Sequence, residues 1–568
     1  MHSARLPAWP ARPALLRPAP RPAPWRRRLW SPAWPVGLAL LLTACRGSGG
    51  SGTSASQGGS SSGGTSGTPA APTDVVTFKN DVQRTGQNLT ETVLTPANVN
   101  SSQFGLLHNL MVDGKVDAQP LYLSQLSFPD GVHDTVFVAT ENASVYAFDA
   151  DSGAMLWQVS LLAAGESPSD DHGCNQITPS IGVTSTPVID RHAGAHGVLF
   201  AVAMSKDASQ NYHQRLHALD VTTGAEIAPA PVEITASFGA TTFDPGQYAE
   251  RAALLLTGGT LYTSWTSHCD AGAYGGWIIA YSESTLAQTG VLNVAAGASG
   301  SGLASQGPSI WMSGDGPAAD SDGNVYVLTA NGRFDTTLVG GFPGSGDYGN
   351  SFVKVSPGTL KVADYFTMYN EVSESQSDTD LGSGGILLLP DQTDSAGTVH
   401  HLAVGAGKDS NLYVVDRDSM GGFVPTGNSI YQELTGVLGG GVWGSPAYFN
   451  GMLYYGPVGG PLQAFRLTNA QLSGTAVAQT STTFTYPGTS PVISASGTAN
   501  AIVWAHENAD PGVLHAYDAG SLMELYNSNQ AGTRDQFGAG NKFIVPAVAD
   551  GRVFVGTTDS VAVFGLLN

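Results

Sequence analysis

The stretch "VYAFDADSGAMLWQ", residues 145–158, decides the fold that this sequence predicts. It contains an apolar run, then the polar turn "DADSG", then a second apolar run that includes Trp157. A glycine in such a turn supplies a positive φ at little steric cost, so two apolar runs around it are typical of a β-hairpin. Asp149 is then either a turn residue or an acid with a chemical role, and the remaining sequence distinguishes the two.

The hairpin pattern returns along the chain, which indicates a structural repeat. Upstream of each copy lies a second phrase, in which small residues and a Pro or Gly precede a strand, a turn and another strand. The two phrases together predict one four-stranded antiparallel unit. The hairpin copies are "RLHALDVTTGAE" (215–226), "NLYVVDRDSMGG" (411–422) and "LHAYDAGSLMEL" (514–525), and the second phrase includes "GPAADSDGNVYVLTA" (316–330), "WGSPAYFNGMLYYG" (443–456) and "VPAVADGRVFVGT" (545–557).

An acid recurs at the same place in these hairpins, as Asp149, Asp220, Asp416 and Asp518. A catalytic group is not expected to repeat in every unit, whereas an Asp that fixes a turn is. We therefore interpret these four acids as turn residues.

A four-stranded unit of this kind cannot bury both of its faces alone, so the repeat predicts units stacked around a common axis. The sequence thus predicts an all-β protein, an eight-bladed β-propeller of four-stranded antiparallel blades, with seven blades as the alternative. Because the last unit ends in "VAVFGLLN" without an outer strand, the N-terminal segment "FGLLHNLMV" (104–112) is expected to supply that strand and close the ring. The phrase pairs fall near 120–158, 183–226, 251–294, 311–366, 381–434, 443–474, 490–527 and 543–567.

The composition agrees with a fold rich in strands and turns. Of the 568 residues, 72 are Gly, 42% are hydrophobic and only 12% are charged. The formal net charge is -21, yet residues 1–46 hold eight of the 24 basic residues and no Asp or Glu, so the rest of the chain is more acidic still. An acidic body repels nucleic acid and anionic lipid, so no nucleic-acid partner is expected.

The N-terminus carries the features of an export signal. The basic stretch "WRRRLW" is followed by "VGLALLLTAC", an apolar run too short for a spanning helix of about 20 residues. Its end, Leu42–Cys45, resembles the bacterial lipoprotein box, in which the Cys is lipidated. We therefore expect a lipoprotein signal peptide at 1–45, a Gly/Ser-rich disordered tether at 46–73 and the propeller at 74–568.

The same resemblance implies a location. The residue after Cys45 is Arg46 and not Asp, which by resemblance to Gram-negative lipoproteins favours the outer membrane. The expected partner is then a membrane, bound through the lipid on Cys45, with the body facing the periplasm or the cell surface.

Two further cysteines remain, Cys174 and Cys269, and an exported protein permits a disulfide between them. Two buried free thiols are the alternative. The histidines His172, His213, His217 and His268 lack the spacing of a zinc site, so we expect them on loops or on the surface.

The hairpin at 145–158, with Asp149, Gly153 and Trp157, resembles the repeat of the quinoprotein dehydrogenases. The resemblance implies an eight-bladed propeller that binds pyrroloquinoline quinone (PQQ) and Ca²⁺ above its axis, with Trp157 docked between adjacent blades. Non-catalytic propellers, such as the outer-membrane assembly lipoproteins, share this repeat. The site is therefore expected where blades depart from the repeat.

Two stretches resemble the parts of quinoproteins that surround the cofactor. In "PSIWMSGDGPAADSDGNVYVLTANGRFD" (308–335), Trp311 takes the place of the Trp beneath the quinone and Asn331 that of a Ca²⁺ ligand, the alternative being a core Trp and a turn Asn. In "SDTDLGSGGILLLP" (377–390), Asp378 and Asp380 are the candidates for catalytic base or metal ligand. Glu374–Ser375 stands where the family has a His-Asp pair, so which acid acts stays open.

Two more stretches complete the comparison with the family. In "LAVGAGKDSNLYVVDRDSM" (402–420), Lys408 occupies the place of the cation that reaches the quinone. In "SWTSHCDAGAYGGWIIAYS" (264–282), the family's calcium-binding Glu and its Arg for a quinone carboxylate are absent near Ala271 and Gly275, and only Asp270 can replace the acid. The cofactors that the resemblance implies are PQQ and calcium, with Asn331 and Asp270 as metal ligands.

Two hypotheses of function follow. The first is a membrane-anchored PQQ-dependent and calcium-dependent oxidoreductase that acts on an alcohol or a sugar. The second is a non-catalytic propeller that binds proteins or glycans at the cell envelope. The first predicts that Trp311, Asn331, Asp380 and Lys408 converge on one cavity, whereas the second does not require it.

Overall fold

The computed structural model of the chain describes residues 74–297 and 307–567. The predicted signal peptide (1–45), the tether (46–73) and the lipidation site Cys45 lie outside the described residues. Within the described ranges, no helix is long and apolar enough to cross a membrane.

Eight antiparallel sheets of four main strands form the structure, and we number them as blades 1 to 8 in chain order. The first strand of each blade is called its inner strand, because in several neighbouring blades these first strands contact one another. Blade 1 consists of Leu121–Phe128, Gly131–Ala139, Ser144–Asp149 and Met155–Ser160, and blade 2 of Val188–Asp190, Val198–Lys206, Tyr212–Asp220 and Val232–Glu233. Blade 3 consists of Leu255–Thr257, Thr260–Ser267, Trp277–Ser282 and Gln288–Asn293, and blade 4 of Ala318–Ala319, Val325–Leu328, Ser351–Val355 and Val362–Thr367.

The second half of the ring repeats this order of strands. Blade 5 consists of Ile386–Leu388, Leu402–Gly405, Leu412–Asp416 and Gln432–Leu434, and blade 6 of Ala447–Phe449, Met452–Tyr455, Gly460–Thr468 and Ala478–Phe484. Blade 7 consists of Val492–Ser496, Ala499–Glu507, Val513–Asp518 and Glu524–Asn527, and blade 8 of Ala547–Ala549, Arg552–Gly556, Ser560–Leu566 and Phe104–Met111. A short helix, Glu371–Gln376, and a 3-10 turn, Leu381–Ser383, precede the inner strand of blade 5.

Blade 8 joins the two ends of the propeller. Its outer strand, Phe104–Met111, comes from the N-terminal part of the chain and pairs antiparallel with Ser560–Leu566. The prediction of an eight-bladed propeller closed by an N-terminal strand is confirmed, and the alternative of seven blades is wrong. Closure leaves no unpaired edge at the point where the ring is joined.

The opening stretch forms the last hairpin of blade 1, and its polar residues act within the turn. The Asp149 carboxylate accepts hydrogen bonds from the backbone N–H and the hydroxyl of Ser152, at 2.7 and 2.6 Å, and Gly153 has a φ of 73°. The Trp157 indole N–H donates to the Val221 carbonyl of blade 2 at 2.9 Å. A Cβ on Gly224 would lie 2.7 Å from the Trp157 ring, so this glycine lets blade 2 approach the indole.

The N-terminal segment Val75–Asn88 runs along the inner strands of successive blades. This path was not predicted from the sequence. The segment forms a backbone hydrogen bond with the inner strands of six blades, and so satisfies N–H groups that face the axis. These bonds join Val75 to Tyr122 (2.8 and 2.9 Å), Ile189 to Val76 (2.8 Å), Ala319 to Val82 (2.7 Å), Leu388 to Gln83 (3.0 Å), Tyr448 to Thr85 (2.9 Å) and Ile493 to Gly86 (2.7 Å).

Two fully buried cations of this segment, Lys79 and Arg84, bind the blades through carbonyl groups. The Lys79 ammonium donates to Pro446 at 2.7 Å and to Pro491 at 2.6 Å. The Arg84 guanidinium donates to Pro317 at 2.9 Å and to Leu254 at 3.1 Å.

Burial shifts the pKa values of the basic and acidic groups at this centre in opposite directions. It lowers the pKa of Lys79 to about 7, and it raises the pKa of the nearby Asp315 to about 7. Arg84 and Lys79 offset part of the rise at Asp315, so the three groups depend on one another.

We predict that Arg84→Leu lowers the free energy of unfolding by about 3–5 kcal/mol. The substitution leaves buried carbonyl groups without donors and removes a cation beside the buried Asp315. Urea denaturation measures the change, with the exposed Arg466→Leu as the control, expected within about 0.5 kcal/mol of the wild type. Equal unfolding midpoints for the two variants would contradict the role given to Arg84.

Candidate functional site

A cavity of about 360 Å³ is lined largely by the segments that precede the inner strands of the blades. The cavity wall includes residues from the segments before the inner strands of all eight blades, among them Asp117, Arg251, Trp311, Asp380 and Trp443. The loops that follow the second strands of blades 3, 4 and 5 complete it. Its volume falls in the range of about 300–1,000 Å³ that is typical of small-molecule sites.

All six residues that the sequence suggested for catalysis, cofactor binding or metal binding line this one cavity. They come from positions as distant in the chain as blades 3 and 5, and they are Asp270, Trp311, Asn331, Asp378, Asp380 and Lys408. The convergence that the first hypothesis required is thus observed. The chemical role of each residue stays a prediction.

Asp378, Asp380, Asn331 and Lys408 form one hydrogen-bonded cluster. The Lys408 ammonium lies 2.5 Å from Asp380 Oδ2 and 3.1 Å from Asp378 Oδ2. Asn331 donates its backbone N–H to Asp380 Oδ1 at 2.7 Å and its side-chain amide to Asp378 Oδ1 at 3.0 Å. Each carboxylate oxygen therefore has a partner.

Local structure explains why the two acids differ. Asp380 directly precedes the 3-10 turn Leu381–Ser383 and its side chain is only 5% exposed, whereas Asp378 has a φ of 57° and a side chain that is 75% exposed. Burial raises the pKa of Asp380, and Lys408 and the Asn331 N–H offset part of that rise. Burial lowers the pKa of Lys408, but the two acids outweigh this effect and the pKa is raised overall.

Aromatic side chains cover one wall of the cavity. Trp443, Tyr486 and Phe543, which we call the aromatic row, precede the inner strands of blades 6, 7 and 8. Their ring centroids are 5.5 Å apart for Trp443 and Tyr486 and 6.3 Å apart for Tyr486 and Phe543. Lys408 lies 5.9 Å above the Trp443 ring and 5.7 Å above the Trp311 ring.

The aromatic row and two cations at its far end, Arg251 and Lys542, were not predicted from the sequence. The Arg251 guanidinium lies 5.2 Å and the Lys542 ammonium 5.6 Å from the Phe543 ring centroid. One signal in the sequence pointed to these residues: like Trp311, each stands a few positions before an inner strand. That position became informative only when the cavity was located.

A disulfide and His268 form another part of the wall. Cys174 and Cys269 are bonded, with their Cα atoms 5.7 Å apart, so the two cysteines are not free thiols. His172 and His268 stack beside them with ring centroids 3.9 Å apart. His268 is buried but lies in a loop, as expected, whereas the expectation of a loop or surface position is wrong for His217, which lies buried in a blade 2 strand.

The donor atoms do not match a calcium site in this arrangement. Calcium takes about 6–8 oxygen ligands, yet Lys408 and Asn331 already engage both oxygens of Asp378 and of Asp380. Asp270, the predicted replacement for the missing Glu, accepts a hydrogen bond from Ser267 at 2.9 Å. Among the described residues, no group of three or more His, Cys, Asp or Glu side chains has the geometry to hold a metal.

The fold is that of the eight-bladed propellers of quinoprotein alcohol and methanol dehydrogenases. The chain is similar to quinohemoprotein alcohol dehydrogenases from Comamonas testosteroni (16% identity, 88% of this chain and 81% of that chain, TM-score 0.57) and from Pseudomonas putida HK5 (14%, 87% and 80%, 0.56). It is also similar to a europium-containing methanol dehydrogenase (14% identity, 87% and 98% covered, TM-score 0.54). Identities this low establish the shared fold alone.

Sequence comparison adds no closer relationship. No protein-family model matches the chain, and no curated protein sequence matches it at a significant level.

We predict a pH-dependent loss of stability that depends on His268. Burial, with His172 nearby, lowers the pKa of His268 to about 4 from an ordinary value of 6.5. As the pH falls from about 6.5 to about 4, the unfolded chain takes up a proton that the folded protein does not, so stability is lost across this window. His268→Gln should therefore lose roughly 2–3 kcal/mol less than the wild type between pH 7 and pH 4.

Urea denaturation at each pH measures this difference. His192→Gln, at an exposed loop position, is the control and should follow the wild type. Parallel stability curves for the wild type and His268→Gln would show that the His268 assignment is wrong.

Proposed function

We propose that the protein is a quinoprotein oxidoreductase that binds PQQ in this cavity and oxidises an alcohol or a sugar. The observation that carries the proposal is the convergence of Trp311, Asn331, Asp378, Asp380 and Lys408 on one cavity. The shared fold supports it, since dehydrogenases with that fold are among the similar structures.

The residues present suit a flat, anionic cofactor. Trp311 and the aromatic row offer flat apolar faces, and Lys408, Arg251 and Lys542 supply positive charge in an otherwise acidic protein. When bound, PQQ would supply the two-electron acceptor for the oxidation. Lys408, held by its two acids, would place an N–H donor beside an oxygen of the quinone.

Asp380 is the residue that we assign as general base. A base must be ionised and yet able to accept a proton, which a pKa raised towards the working pH favours. Burial beside Lys408 gives Asp380 both properties, because the ammonium stabilises the anion while the surroundings exclude water. Asp378, which is largely exposed, would hold Lys408 and Asn331 in place.

Calcium is not needed for these assignments. For calcium to bind Asp380 and Asn331, Lys408 would have to leave the carboxylates that it now contacts. If calcium takes part, PQQ affinity should rise on addition of calcium and fall with a chelator.

We predict that the purified full-length protein binds PQQ, with quenching of tryptophan fluorescence from the cavity, and oxidises alcohols in a dye-linked assay. Asp380→Asn should keep PQQ affinity within a few-fold and lower kcat/KM by about 10²–10⁴, since proton transfer is lost. Asp378→Asn, the matched variant at the exposed acid, should cost less than about 10-fold. A larger loss in Asp378→Asn than in Asp380→Asn would reverse the roles, and no PQQ binding by the wild type would overturn the proposal.

A non-catalytic propeller is the second candidate function. It is favoured by the positions near Ala271 and Gly275, where the ionic residues of the family are missing. The same binding experiment distinguishes the two, since a scaffold protein would bind no PQQ.

We further propose that the protein is a lipoprotein of the outer membrane, held through Cys45. The support is the sequence Leu42–Cys45 after an apolar run, followed by Arg46. Cys45→Ser should abolish incorporation of labelled palmitate and move the protein from the membrane fraction to the soluble fraction. Recovery of Cys45→Ser with the outer membrane would contradict the anchor.

A further inference from the structure

Arg251 is a buried cation whose hydrogen bonds are incomplete. The residue is 8% exposed and lines the cavity, and its Nη2 atom has no hydrogen-bond partner among the described residues. A buried guanidinium nitrogen without an acceptor is costly and rare in folded proteins. Lys408 differs from it, because two carboxylates already bind that ammonium.

The surroundings of Arg251 leave positive charge at this end of the cavity. Lys542 lies over the same Phe543 ring, and its ammonium donates to a neutral acceptor, Gln176 Oε1, at 3.1 Å. Two acids are close enough to act on Arg251, Asp117 and Glu141. Burial, together with Asp117, raises the pKa of Glu141 well above its usual value, which favours the uncharged form of this acid.

The aromatic row fixes the position of this positive region relative to Lys408. Lys408 lies above Trp443 at one end of the row, and Arg251 and Lys542 lie above Phe543 at the other. Neighbouring rings of the row meet at 75°, so a flat ligand would lie against the faces of some rings and the edges of others, with a cation at each end. The positions near Gly275, where quinoproteins have the Arg for a cofactor carboxylate, hold no cation in this sequence.

We propose that Arg251, assisted by Lys542, forms a binding site for the carboxylate groups of a planar aromatic ligand. The Arg251 guanidinium would donate to a carboxylate oxygen, and the Lys542 ammonium would contact the same or an adjacent group. The inference rests on the proposed function, since PQQ is a planar aromatic polycarboxylate. It names residues that no comparison assigns to this task.

Binding of PQQ and of PQQ trimethyl ester to the full-length protein tests the proposal, by calorimetry and by quenching of tryptophan fluorescence. Arg251→Gln should weaken PQQ binding by about 10–100-fold, because a charged hydrogen bond is lost, while the uncharged ester binds the wild type and the variant equally. Arg251→Lys should recover part of the affinity for PQQ. The exposed Arg466→Gln is the matched control and should bind PQQ like the wild type.

The outcomes separate this proposal from the proposed function. If the wild type binds PQQ and Arg251→Gln binds it equally well, the Arg251 site is wrong and the proposed function stands. An equal loss of affinity for PQQ and for the ester in a folded Arg251→Gln variant would also overturn the site. The variant would then have changed the shape of the cavity, and the charge of the ligand would not matter. If Arg251→Gln does not fold, Lys542→Gln decides by the same comparison, and a wild type that binds no PQQ overturns both proposals.

Discussion

The hydrogen bonds of Lys79 and Arg84 to carbonyl groups beside the propeller axis are the interaction on which the rest of the structure depends. Inner strands turn one edge towards the axis, where backbone groups lack a neighbouring strand. The segment Val75–Asn88 satisfies many of these groups, and its two cations bind carbonyls from blades 3, 4, 6 and 7. The positions of separate blades are thereby fixed relative to one another.

The candidate site inherits its geometry from this centre. Asp315, which interacts with Lys79 and Arg84, lies only four residues after Trp311, and Pro446, which accepts from Lys79, lies three residues after Trp443. The tryptophans of the cavity are thus connected to the buried cations by a few residues of chain. A rigid support of this kind places aromatic faces and charged groups without help from a bound ligand.

The sequence predicted what repeats and missed most of what does not. Turns and apolar strands recur around the ring, and the acid of Asp149 recurs in four blades, so the propeller and its closing strand could be predicted from pattern alone. Asp380 and Lys408 were found because their stretches resemble a known family. Arg251, Lys542 and the aromatic row were not, since single residues before inner strands converge only after the ring has closed, and the path of Val75–Asn88 has no local pattern.

The central claim is that the propeller holds PQQ in the cavity between Lys408 and Arg251. A crystal structure of the full-length protein grown with PQQ tests it most directly. The account predicts density for one PQQ molecule against Trp311 and the aromatic row, with carboxylate groups within hydrogen-bond distance of Arg251. An empty cavity under saturating PQQ, or PQQ bound elsewhere on the protein, would contradict it.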